Sequence, residues 1–209
     1  MTRRYLWVLT LATLWLGTQV CAGEAPAKVA IVKGTITIAG KPTTDVVVSV
    51  EGVAPELYKA QLAGAKSQKA VLEQKQMKFI PSALPVLVGT TVEFPNKDKN
   101  WHNVYSKSEA KKFDLGLYAP GKSRSVKFDK PGVVRVLCNV HPNMEAFIVV
   151  KEHPYFAAPD PSGNYRLNDV PLGKYRVQVW HPQLGTTEAG VELVREGEVV
   201  DINFDLKKK

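Results

Sequence analysis

The stretch VVRVLCNVHPNMEAFIVV, residues 133 to 150, places a thiol, an imidazole and a thioether within seven positions, at Cys138, His141 and Met144. Apolar runs on either side read as two strands whose connecting turn carries all three. Two readings of that turn stand side by side. Either Cys138 and Met144 are core packing and His141 an incidental loop residue, or the three are donors of one metal site, in which case a fourth donor must come from elsewhere. A copper ion cycling between Cu(I) and Cu(II) suits a thiolate, imidazoles and a weak thioether, because these soft and borderline donors tolerate both oxidation states. The fourth ligand should then be a histidine on an upstream strand. His102, in FPNKDKNWHNVYS, opens a strand just after the one ending in Phe94-Pro95-Asn96. The candidate ligands are therefore His102, Cys138, His141 and Met144. Zinc also takes Cys, His and carboxylate, but one cysteine with two histidines and a methionine is an unusual zinc set, and its softness favours copper.

The elements that must position these donors read almost entirely as strands. Val29 to Ile38 and Val46 to Val50 alternate or run apolar, with Gly40-Lys41-Pro42 as punctuation between them. Pro55 to Lys69 is rich in Ala, Lys, Gln and Leu but lacks a firm apolar stripe, and reads as a partly helical connector over 55–69. Short strand patterns then resume from Ala70, separated by Pro, Gly, Asn and Asp turns, a spacing that fits an all-β sandwich over residues 70–152. After Pro154 a second β unit follows. Tyr165-Arg166-Leu167 and Tyr175 to Val179 alternate in the manner of a half-buried sheet, with Ser162-Gly163 and Leu172-Gly173 at the turns. The closing Lys207 to Lys209 run reads as a solvated tail.

Residues 1–22 read as a secretory signal peptide: Arg3 and Arg4, an apolar core from Tyr5 to Leu16, and Val20-Cys21-Ala22 as a small-x-small cleavage pattern. Cleavage after Ala22 would leave Cys138 as the single cysteine, unable to form an internal disulfide in a compartment that favours them. Burial or coordination would protect such a thiol from oxidation. At 44% hydrophobic and 23% charged the composition is that of a globular protein, and gives no reason to invoke disorder or a membrane span. The segment Lys97 to Lys130 carries nine Lys or Arg against four Asp or Glu, within a chain of formal net charge +8. Such a balance suits an acidic partner or a plain solvated sheet face; an exported chain with no recognition motif is not expected to bind nucleic acid.

With the Cys-x-x-His-x-x-Met spacing, Pro142 after His141, Phe94-Pro95-Asn96, His102-Asn103 and Gly89-Thr90-Thr91-Val92 in hand, residues 70–152 resemble a cupredoxin, the blue-copper fold of plastocyanin, pseudoazurin and amicyanin. The short ligand loop is most similar to that of amicyanin. The resemblance implies a Greek-key β-sandwich holding one type 1 copper. His102 and His141 would bind through ring nitrogens, Cys138 as thiolate and Met144 as a long axial ligand. It also implies that Asn103 braces the ligand loop by hydrogen bonding and that His141 is the edge nearest solvent. Trp101 and Val140 depart from the family pattern at positions where smaller residues or proline are common, and Glu145 beside Met144 reads as an outward strand residue.

A second resemblance covers the flanks. VKGTITIAGKPTTDVVVSV, residues 32 to 50, and DPSGNYRL, residues 160 to 167, are similar to the opening and continuation of a carboxypeptidase regulatory-like, transthyretin-like sandwich. It implies one such sandwich split into residues 23–54 and 153–209 by the copper unit, with a tandem arrangement as the alternative. His153 in EHPYF and His181 in WHPQLG lack a nearby donor cluster and read as turn residues. The function expected is a periplasmic or extracellular electron carrier, not an enzyme, whose partner is a redox protein such as a c-type cytochrome or dehydrogenase. A copper carrier or store without redox turnover, and a β scaffold with structural copper, are the rivals.

Overall fold

The computed structural model describes residues 28–59, 62 and 68–207. The expected signal peptide and most of the second half of the connector lie outside the described residues. The chain opens with β1 (Val29–Ile38), β2 (Lys41–Pro42) and β3 (Val47–Glu51), followed by a 3-10 turn at Pro55–Leu57. Ten strands follow: β4 (Lys69–Val71), β5 (Glu73–Lys75), β6 (Lys78–Ile80), β7 (Ala83–Leu87), β8 (Thr91–Pro95), β9 (His102–Ser108), β10 (Lys111–Tyr118), β11 (Ser123–Lys127), β12 (Gly132–Leu137) and β13 (Glu145–Lys151). The last six are β14 (Phe156–Ala157), β15 (Asn164–Pro171), β16 (Gly173–His181), β17 (Gly185–Leu193), β18 (Val199–Asp201) and β19 (Phe204–Leu206).

The first and last strands pair with each other across the whole length of the chain. β1 lies between β15 and the parallel pair β18 and β19, while β3 lies between β14 and β16, with β17 beyond. Their alternating apolar residues, among them Val32, Ile36, Val48, Val50, Leu167, Val177 and Leu193, meet in one core. Gly34 is needed where the chain crosses from β18 to β19, because a Cβ there would lie 1.9 Å from the Ile202 carbonyl oxygen. We call this unit the outer sandwich.

Strands β4 to β13 pair only among themselves. The sheet β10-β9-β12-β13-β7 faces the sheet β11-β8-β4 across a second core that includes Phe94, Phe128, Val134, Val136, Ile148 and, at one end, Cys138 and Met144. Strand alternation explains how two sandwiches share a boundary, since successive side chains point to opposite faces. Along β13, Ala146, Ile148 and Val150 enter this inner core. Phe147 and Val149 point the other way, onto Trp180 and Val47 of the outer sandwich. Along β3 the pattern is mirrored: Val46, Val48 and Val50 serve the outer core, whereas Val47 joins the junction and Glu51 accepts a 2.5 Å bond from Lys151 Nζ. Ser82 Oγ donates to Asp45 at the far edge of the same junction.

Candidate metal centre

Three segments converge at one end of the inner sandwich. His102 is the first residue of β9, directly after a loop that leaves β8 at Asn96. Cys138 follows the last residue of β12, and His141 and Met144 lie in the turn that leads into β13. Because β9 and β12 are neighbours in one sheet, residues 36 and more positions apart are brought side by side. His102 Nδ1 lies 3.0 Å from His141 Nδ1 and 3.9 Å from Cys138 Sγ. All three donor atoms lie within 4.8 Å of one another, the one such cluster of His, Cys, Asp or Glu among the described residues. His102 and Cys138 are buried, while His141 keeps partial exposure. Met144 is fully buried in the same core, and its N–H donates to the His141 carbonyl at 3.0 Å, closing the turn that sets both side chains.

The ring orientation of His102 is fixed from behind. Its Nε2 lies 2.8 Å from Asp98 Oδ2. An ionised carboxylate only accepts hydrogen bonds, so Nε2 carries the proton and Nδ1 keeps its lone pair toward Cys138 and His141. Asp98 also accepts the N–H groups of Gln76 and Met77, at 2.6 and 2.8 Å, from the tight turn between β5 and β6. Burial works to raise the Asp98 pKa, yet the bonds from Met77, His102 and Gln76 outweigh it and hold the carboxyl below its usual range. The loop itself is built on Asn96, which receives the Asp98 N–H on Oδ1 and donates from Nδ2 to the carbonyls of Asn100 and Tyr118.

Residues 66–151 match the profile of copper binding proteins of the plastocyanin/azurin family. They form a plastocyanin/azurin-family copper-binding domain, a cupredoxin. Solved structures similar to the chain include a Cu-containing nitrite reductase from Thermus scotoductus SA-01, 27% identical over 41% of this chain and 23% of that one, with a TM-score of 0.39. This chain thus spans less than a quarter of the nitrite reductase. A purple cupredoxin from Nitrosopumilus maritimus is 23% identical over 41% of this chain and 100% of its own, TM-score 0.35. A reduced point mutant of amicyanin is 21% identical over 50% of this chain and 98% of its own, TM-score 0.38. No curated protein matches the chain.

The donor set of the cupredoxin domain fits copper. Nitrogen and sulfur donors of one tetrahedral ion, with bonds of about 2.0–2.3 Å, stand about 3.3–3.8 Å apart; the observed 3.0 and 3.9 Å fall just below and just above that range, so a small adjustment of the side chains would let one ion reach the donors. Two imidazoles and a thiolate are also the set that suits copper over harder ions. Asn103, beside His102, links the two halves of the site: its Oδ1 receives the Asn139 N–H at 3.3 Å, and its Nδ2 donates to Asp114 at 2.7 Å. Glu145 points outward and pairs with Arg135.

Asp98 escaped the sequence reading. Its signal was a carboxylate four residues before His102 in a polar loop between two strands, but a loop aspartate is ordinary until the turn at Gln76–Met77 is seen to close on it. Gln74 and Tyr118 were missed in the same way. Both are buried beneath the loop, where Gln74 Nε2 donates to the Tyr118 hydroxyl, which donates to the Phe94 carbonyl. Burial pushes the Tyr118 hydroxyl up to about 12 despite the Gln74 bond and the Arg124 guanidinium over its ring.

The other two histidines stand apart from this cluster. His153 Nδ1 accepts the Tyr155 N–H at 3.3 Å, and its ring stacks on Tyr155. His181 Nδ1 accepts the N–H groups of Gln183 and Leu184 at 3.0 and 3.1 Å. Burial lowers the pKa of each, and for His153 the neighbouring Lys151 charge adds to the effect.

Proposed function

We propose that this protein is an exported type 1 copper protein that passes single electrons between redox partners, with His102, Cys138, His141 and Met144 as the ligands. The observation that carries this reading is the convergence of three donor atoms at the end of a rigid sandwich, with three of the four ligand residues buried. Bound copper supplies a one-electron change of oxidation state. The chain's own residues do the rest. His102 and Cys138, anchored on adjacent strands, hold their donors at fixed separation, so little has to move when charge changes. The buried setting excludes water from the donors, while half-exposed His141 provides a short path to the surface.

Met144, buried and bonded through its backbone to His141, would supply the thioether as the fourth donor. Export is inferred from the reading of residues 1–22, whose removal would leave the buried Cys138 as the single thiol. We further propose that the copper domain is inserted between the early and late strands of a regulatory-like sandwich, which serves as scaffold or docking surface and not as an enzyme; the pairing of β1 and β3 with strands beyond β13 supports this. The partner would be a redox protein such as a c-type cytochrome or a dehydrogenase. Spectroelectrochemical titration of the copper-loaded protein tests the function. A reversible one-electron wave is expected; release of Cu(I) to a chelator on reduction, without reoxidation in place, would instead favour copper carriage or storage.

A further inference from the structure

The two faces that meet at the junction change character along their length. On β3 the residues turned away from the outer core run Val47, Ser49, Glu51, and their register partners on β16 run Trp180, Gln178, Arg176. On β13 the residues turned away from the inner core run Phe147, Val149, Lys151. Both faces thus pass from apolar to charged in the same direction. At the apolar end the sheets touch: the Phe147 and Trp180 ring centres lie 5.4 Å apart, and Val47 and Val149 share a cluster. A cleft of about 220 Å³ follows, with Val133 of β12 on its wall and the Glu51–Lys151 pair at its charged end.

The polar groups of this cleft are not used up within the chain. Glu51 Oε1 accepts both the Ser49 hydroxyl at 2.6 Å and Lys151 Nζ at 2.5 Å, and among the described residues nothing donates to Glu51 Oε2. An ammonium carries three N–H donors, of which Lys151 places one on Glu51. His153 lines the same cleft and is 7% exposed. Its Nδ1 accepts the Tyr155 N–H, so the neutral ring carries its proton on Nε2, for which no described residue supplies an acceptor. Burial, with Lys151 adding to it and Glu51 opposing, holds the ring below its ordinary pKa and keeps that neutral form. Glu152, the remaining charged residue of the lining, is exposed. A strut between the sandwiches would need the ion pair alone. A buried donor and a carboxylate oxygen left over beside it are costly unless something answers them.

These leftover groups specify an occupant. A ligand with a carboxylate alone would face Glu51, and one with an ammonium alone would face Lys151. A molecule carrying both answers Glu51 Oε2 with a donor, and Lys151 and His153 Nε2 with acceptors. The cleft is smaller than the about 300–1,000 Å³ of pockets that hold drug-sized ligands, and away from its charged end it is walled by Val133, Val149 and Trp180. We propose that the junction cleft binds a free α-amino acid with a large apolar side chain, its ammonium on Glu51, its carboxylate on Lys151 and His153, and its side chain laid along Val133 and Val149 toward Trp180.

The test is calorimetric titration of the copper-loaded full chain with L-phenylalanine and L-leucine, beside hydrocinnamate and phenethylamine, which lack the ammonium and the carboxylate of phenylalanine in turn. Saturable binding of both amino acids at one site is expected, with each analogue weaker by at least about tenfold, the loss of a hydrogen bond to a charged group. Glu51→Gln keeps an acceptor for Lys151 and Ser49; it should weaken phenylalanine by at least about tenfold and strengthen hydrocinnamate, whose carboxylate no longer meets a like charge. Val133→Trp, at a position 38% exposed, should fill the cleft and abolish binding, with an unchanged visible copper spectrum showing that the fold is kept. The site is overturned by the lack of saturable heat with either amino acid up to about 10 mM, by an analogue that binds as tightly as phenylalanine, or by undiminished binding in either variant. None of these results bears on the copper centre.

Discussion

The four histidines divide evenly between two regions and meet opposite fates. In the outer sandwich and its junction, His153 and His181 are buried and each spends Nδ1 on backbone N–H groups. In the cupredoxin domain, His102 spends Nε2 on Asp98 and keeps Nδ1 for the space it shares with His141 and Cys138. Burial is common to both regions, so burial does not make a histidine a ligand. What separates them is the backbone. The outer histidines cap local turns within three residues of themselves, whereas His102 is held by a carboxylate that a distant turn has positioned.

If that contrast is right, substitutions should sort by region. The largest effect is expected for Cys138→Ser, which should abolish the thiolate-to-copper absorption band and weaken copper binding by more than the about 10- to 100-fold typical of removing an outer partner. Next comes Leu193→Ala in the outer core, where Leu193 is fully buried. Truncation there should cost about 2–5 kcal/mol of stability, read as a lower melting temperature, with the copper spectrum unchanged. A spectrum that shifted with it would mean that the two cores are not separate.

Asp98→Asn should retain the fold and lower copper affinity by about 10- to 100-fold, measured by competition with a chelator of known affinity, whereas His153→Gln should leave affinity as it was. Equal losses in the two variants would erase the distinction between regions. The smallest effect concerns pH. His153 is held below its ordinary pKa by burial and by Lys151, with Glu51 opposing. The unfolded chain therefore binds a proton that the folded chain refuses. Its contribution to stability is complete above the unfolded value of about 6.5 and is lost as pH falls below it, until the folded pKa is passed. The fall in melting temperature between neutral and mildly acidic pH should accordingly be shallower in His153→Gln than in the wild type.

Much of this architecture was legible in the residues. Alternation in Val29 to Ile38 and in Tyr175 to Val179 reappears as β1 and β16, because period-two burial needs only local sequence. The spacing of Cys138, His141 and Met144 marked one turn, and the upstream imidazole at the head of the next strand pair identified His102. Glu145 reads outward and is outward, paired with Arg135. The unread parts are those that depend on chain segments meeting. Asp98 acquires meaning only when Gln76 and Met77 turn their N–H groups to it, and the second face of β13 only when Trp180 packs on Phe147. A strand buried on both faces, as β13 is, reads simply as the apolar run EAFIVVK. Nothing in that run says that Phe147 and Val149 serve a different core from Ala146 and Ile148.

The central claim is that the Nδ1 atoms of His102 and His141 and the Sγ of Cys138 jointly hold copper. The most direct measurement is the visible absorption and electron paramagnetic resonance spectrum of the purified protein with one equivalent of Cu(II), beside His102→Ala and Cys138→Ser. An intense thiolate-to-copper band with narrow copper hyperfine splitting, bleached by reductant and missing in both variants, is the expected result. A colourless complex, or a blue one that persists in His102→Ala, would contradict it.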